Sequence, residues 1–204
     1  MDKAFSFFLV LRLLFQPTTV FKVLSNLQPS SVVVFLKIAL WFGILPPLFA
    51  YIGASNYGWR LGNVEPLFLP NQTLITISIA YFIALLLGFI STSIVSRWMA
   101  STYGARHALG IHFAMISIVG APIALGSVVH LYPDVFINIL VLIPAILWSM
   151  YLLYRGLPIV LHTTPERGML MASSLIGYFL VAFVSLLGIT VALWSYGIGP
   201  SLGV

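Results

Sequence analysis

Cysteine is missing from this 204-residue chain, which excludes disulfides, thiolate catalysis and thiol-bound metal. Charge is almost missing too: 6% of residues are Asp, Glu, Lys or Arg, against roughly a quarter in an ordinary soluble domain, so water is not the main solvent of this chain. Acids are scarcest. Asp2, Glu65, Asp134 and Glu166 fall in separate segments, and acid–base work by a carboxylate pair would need them folded together. There is no His-Glu-x-x-His, no phosphate-cradling glycine loop and no Gly-x-Ser-x-Gly. These absences argue against an enzyme, a metal site and a bound cofactor. The nine basic residues are spread along the chain, without the patch or stripe that a phosphate backbone requires, so nucleic acid is not an expected partner.

What the chain has is apolar length: 61% of residues are hydrophobic. Unpaired backbone groups are costly in hydrocarbon, so only helices and closed barrels span a bilayer, and these uninterrupted runs lack the alternation of a barrel. Five stretches reach the ~20 residues that cross ~30 Å of hydrocarbon: residues 32–52, 74–95, 108–129, 135–154 and 170–193. Lys3, Arg12, Lys22, Arg97, Arg106, Arg155 and Arg167 all fall on one side of this arrangement, and Arg60 is alone on the other. Lys37, inside the first span near its start, can snorkel back to the basic side. By the positive-inside rule the N-terminus is cytoplasmic and the C-terminus outside. The expected fold is therefore an all-α membrane protein with five transmembrane helices in one domain over 31–204.

Residues 1–30 form the other expected unit. Lys3 and the apolar run after it resemble a secretory signal, but Arg12 interrupts the run and no small-residue cleavage site follows. Pro17 suits the first turn of a helix. Beyond it Val20, Phe21, Leu24 and Leu27 recur at helical spacing, with Thr19, Lys22, Ser25 and Asn26 on the other face. This predicts a short amphipathic helix at the membrane interface, the alternative being a lead-in packed under the bundle. The longest loop, 53–71, is rich in Gly and Pro and carries Tyr57, Trp59 and Phe68, suited to lying on the bilayer. Asn71-Gln72-Thr73 matches a glycosylation sequon by chance, being too close to a span for a transferase.

Ionisable or strongly polar groups inside lipid are expensive, so each is a functional candidate. Lys37, His112 and Asn138 are those candidates. His112 could relay a proton, but a hydrogen-bonded packing histidine meets the same pattern. His107 and His130 lie beyond opposite ends of that helix, so no metal site follows. Gly110, Ala114, Ser117 and Ala121 make a seam of small residues that admits another backbone, either inside the bundle or across a homo-oligomer. Pro46, Pro47, Pro122 and Pro144 fall inside spans and can kink them.

The run from Tyr151 through Tyr154, Arg155, Gly156 and Pro158, followed by Thr164-Pro165-Glu166-Arg167, resembles the fourth-helix exit and cytoplasmic loop of the Yip family, named for Ypt/Rab-interacting proteins. Gly120-Ala121-Pro122 with Leu131-Tyr132-Pro133, Tyr57-Gly58-Trp59 with Gly62, and Trp194 with Tyr196-Gly197 are similar to its bacterial, YohC-like branch. The resemblance implies a five-helix fold in a bacterial inner membrane. Rab-type GTPases are partners of the eukaryotic relatives, which carry a sizeable cytosolic N-terminal region. About thirty residues precede the first span here, too few to carry that role over.

The leading functional reading is a non-enzymatic membrane protein that organises the lipid bilayer or binds other membrane proteins. Its partner-binding candidates are Tyr154, Arg155, Gly156, Pro158, Pro165 and Glu166. In the competing reading of Gly156 and Pro158, they simply end the fourth helix and turn the chain. The competing class is a channel or small transporter, with a path past His112, Ser91, Thr92, Ser117 and Asn138. Against it stands the lack of charged coupling residues.

Overall fold

The computed structural model describes residues 7–62, 65–106 and 108–196. Lys3, His107 and Gly197, which the sequence argument used, lie outside them. The described residues are helical apart from short connections, and five helical segments are long and apolar enough to cross a membrane. They are Ser31–Tyr57, Asn71–Tyr103, Leu109–Leu131, Val135–Val160 and Pro165–Ala192.

Two short helices come first, α1 (Phe7–Phe15) and α2 (Pro17–Ser25), the second started by Pro17. The amphipathic stripe of α2 faces protein: Val20, Phe21 and Leu24 are buried, and α2 packs chiefly on the fourth span. The first span is α3 (Ser31–Val34), a π-helical turn over Phe35–Ala39, then α4 (Leu40–Tyr57). Pro46 and Pro47 sit inside α4 and withdraw two N–H groups from its hydrogen-bond ladder.

The second span is one helix, α5 (Asn71–Tyr103). At 33 residues it measures about 50 Å, well beyond the hydrocarbon thickness. Its apolar run ends near Val95, but its backbone continues until Gly104 takes the left-handed conformation (φ 62°) and bonds back to Ala100. Hydropathy locates lipid contact, whereas the cap locates the end of the helix. The same distinction carries the fourth span, α8 (Val135–Val160), through Gly156 and Pro158. Those two residues do not terminate the helix.

The third span is broken. α6 (Leu109–Val119) gives way at Gly120 to α7 (Ala121–Gly126), then to a 3-10 turn over Ser127–Leu131. Pro122, which has no N–H to donate, stands in the first turn of α7. α6 is the centre of the molecule. Every residue from Gly110 to Val119 is buried, against α3, α5 and α8. The fifth span, α9 (Pro165–Ser195), packs on α5 and α8. Its buried residues Met171, Ala172 and Leu175 lie near its start, and Leu186 to Ala192 are exposed on every face.

Candidate functional site

The ends of the spans define two faces. One gathers the C-termini of α2, α5 and α8 and the N-termini of α6 and α9, and it carries Arg97, Arg106, Arg155 and Arg167. The other carries Arg60 and Asp134.

At the basic face, Arg106 joins three elements. Its backbone N–H donates to the Leu161 carbonyl at the end of α8 (3.0 Å), and its guanidinium Nη1 donates to the Ser25 carbonyl at the end of α2 (2.7 Å). Its own carbonyl lies 2.6 Å from Nε2 of His112 on α6. A carbonyl only accepts, so Nε2 carries the proton there; in the neutral ring Nδ1 then accepts from the Ser96 hydroxyl on α5, 2.8 Å away. His112 is wholly buried. It therefore clamps the α5–α6 connection to the bundle. This arrangement also explains why Ser25, expected on the polar face of α2, is buried: its carbonyl meets Arg106 and its hydroxyl bonds the Lys22 carbonyl at 2.8 Å.

The α8–α9 connection is tied in at the same level. Thr163 Oγ1 donates to the Tyr103 carbonyl (2.6 Å), and the hydroxyls of Tyr103 and Ser174 lie 2.8 Å apart, as do those of Tyr154 and Ser173. Of the six partner-binding candidates, Arg155, Pro165 and Glu166 are exposed, Tyr154 and Pro158 are half-buried, and Gly156 is buried. A Cβ on Gly156 would stand 2.6 Å from both the Phe21 ring and the Met115 methyl. A Cβ on Gly168 would stand 2.7 Å from Pro158. These two glycines let α2 and α9 lie close against α8. Arg167, beside Gly104, is exposed and belongs to the same face.

The intramembrane candidates are kept apart. Lys37 is on the exposed side of the π-helical turn, while His112 is enclosed near the basic face. Asn138 sits in the first turns of α8 at the opposite face. There its amide bonds the carbonyls of Tyr132 (3.1 Å) and Asp134 (2.6 Å), and its oxygen meets Nδ1 of His130. Asn138 thus fastens the turn into α8. Gly110, Ala114, Ser117 and Ala121 are all buried within the chain, with Gly110 against the Pro29 carbonyl. The hydroxyls of Thr92, Ser117 and Ser149 are buried without a hydrogen-bond partner among the described residues. No group of three or more His, Cys, Asp or Glu able to hold a metal occurs among the described residues.

Sequence reasoning did not find Arg106 or Phe21 as structural centres. Arg106 carried only a topology signal. Its partner Ser25 lies 81 residues away, a separation that no local pattern encodes.

Residues 11–186 match the family described as the Yip1 domain. Inner membrane protein YohC of Escherichia coli strain K12 is 32% identical over 158 residues, 78% of this chain and 81% of that protein. YohC of Escherichia coli O6:H1 strain CFT073 gives the same figures. No solved structure matches significantly.

Proposed function

This chain belongs to the Yip1 domain family, and from that premise we propose that it is a non-enzymatic, multi-pass inner-membrane protein that holds lipid or other membrane proteins against its basic face. The basic face is cytoplasmic in this reading, following the excess of Arg and Lys there. One observation supports the docking role above others: a hydrogen-bonded frame of Arg106, His112, Tyr103 and Thr163 holds exposed Arg155, Glu166 and Arg167 on fixed helix ends. A preorganised charged surface loses less entropy on binding than a loose loop does. The reading keeps residues 31–204 as the spanning domain and 1–30 as the N-terminal segment, whose helix α2 packs on the fourth span.

The test is photocrosslinking in cells from probes at Arg155 and Glu166, with a control probe at lipid-exposed Phe183. Discrete adducts at the first two, lost on Arg167→Glu, support docking; equal adducts at all three positions count against it.

Conduction is the second reading, favoured by the buried hydroxyls of Thr92, Ser117 and Ser149, which have no hydrogen-bond partner among the described residues. Flux in proteoliposomes above empty vesicles, altered by Ser117→Ala, would support it. No flux from folded, oriented protein would exclude it.

A further inference from the structure

The face opposite the basic one holds a pocket of about 520 Å³ lined by Arg60, Gly62, Glu65, Pro66, Tyr132, Asp134 and Ile137. Backbone bonds fix its walls. The Arg60 N–H donates to the Pro133 carbonyl and the Val135 N–H to the Arg60 carbonyl, each at 3.0 Å. Trp59 and Leu67 exchange two bonds of 2.8 Å that position the return of the loop past Glu65. Asp134 is 7% exposed and caps α8, accepting from the Ile137 N–H at 3.0 Å. The Arg60 guanidinium lies over the Tyr132 ring, 5.6 Å from its centre, with Nη1 3.4 Å from the phenolic oxygen.

Arg60, Glu65 and Asp134 thus line one pocket, yet no ion pair joins Arg60 to either acid among the described residues. Held apart, each sign of charge is available to a ligand. Nε of Arg60 lies 3.5 Å from the Tyr57 carbonyl and Nη1 3.4 Å from the Tyr132 hydroxyl, which leaves Nη2, without a partner among the described residues, to donate to a phosphate oxygen. The carboxylates offer acceptors to an ammonium with several N–H groups. The pocket also lies where two spans end, between Tyr57 and Val135, and Trp59 and Phe68 are exposed beside it. Aromatic rings of this kind sit at the headgroup level of a bilayer.

We propose that this pocket binds a zwitterionic phosphoethanolamine group, its phosphate on Arg60 and its primary ammonium on Glu65 and Asp134. The site is independent of the basic face and stands whether or not docking occurs there. A phosphocholine head fits poorly because its quaternary nitrogen has no N–H to donate, and a phosphoglycerol head lacks the cation.

The test uses the purified full chain in detergent, with native mass spectrometry of adducts formed from equimolar phosphatidylethanolamine, phosphatidylcholine and phosphatidylglycerol. Phosphatidylethanolamine should be retained about tenfold over the other two, the scale one charge-assisted hydrogen bond supports. Arg60→Gln and Glu65→Gln should each reduce that preference; Glu65 is exposed, so its variant leaves the fold intact. Asp134→Asn should weaken it too while keeping the α8 cap, since Asn caps as well as Asp. Soluble glycerophosphoethanolamine distinguishes the sources: displacement of the lipid shows that the free group binds, and no displacement assigns the site to membrane lipid. Equal retention of all three lipids, phosphatidylglycerol held as well as phosphatidylethanolamine, or a preference unchanged in Arg60→Gln and Glu65→Gln would overturn the proposal.

Discussion

Gly156 illustrates how a single residue carries the packing of this protein. Its missing side chain is where Phe21 and Met115 meet α8, so Gly156→Ala must push at least one of them aside. Overpacking of this kind costs ~1–3 kcal/mol, and we expect Gly156→Ala to lower the melting temperature in detergent, with Phe21→Leu restoring part of the loss. His112 belongs to the same scale. His112→Ala leaves the Ser96 hydroxyl and the Arg106 carbonyl without their partner, a penalty of ~1–3 kcal/mol per buried group. The expected outcome is faster proteolysis at the α5–α6 connection, while His112→Gln, which can still donate to a carbonyl, should fall between the two. The sequence marked Gly156 and His112 as positions to explain and set Phe21 on the apolar stripe of α2, but nothing in it paired Phe21 with Gly156.

Among the elements, α9 divides into two physical environments. Leu175 is fully buried, whereas Leu186 is 49% exposed. In a bilayer the exposed half exchanges lipid for lipid on folding and has little hydrophobic driving force. Leu175→Ala should therefore cost ~2–5 kcal/mol, the range for emptied core sites, and Leu186→Ala about 0.5 kcal/mol or less, as for exposed sites. Chemical denaturation in mixed micelles would measure both. Elements were also where sequence boundaries ran short: α5 and α8 outlast their apolar runs because Gly104 and the Val160–Leu161 turn end them, not the change in polarity. Pro122 was legible as an interruption, and the chain answers it by breaking the third span at Gly120.

At the scale of the whole molecule, α2 is part of the core, so removal of residues 1–29 should abolish the cooperative unfolding transition rather than merely release a partner. Size-exclusion chromatography and thermal melting of the truncated chain would check this; an unaltered transition would place α2 outside the folding unit. Orientation is accessible because the chain has no cysteine. Cysteine placed at Glu166 should react with an impermeant maleimide only after the cells are opened, and cysteine placed at Glu65 should react in intact cells. The five spans, the excess of basic charge at one end and the family likeness were all legible in the sequence, because each is a property of composition, local order or motif. Solvent choice follows from adding up side-chain transfer energies along the chain, and neither neighbours nor fold enter that sum. The small-residue seam of Gly110, Ala114, Ser117 and Ala121 pointed to the third span as a packed helix, whereas the Arg106 and His112 frame and the pocket of opposed charges around Arg60 were decided by tertiary structure alone. Each depends on which residues far apart in the chain meet, and that is set by the close fit of glycine, proline and aromatic surfaces, which hydropathy and spacing do not encode.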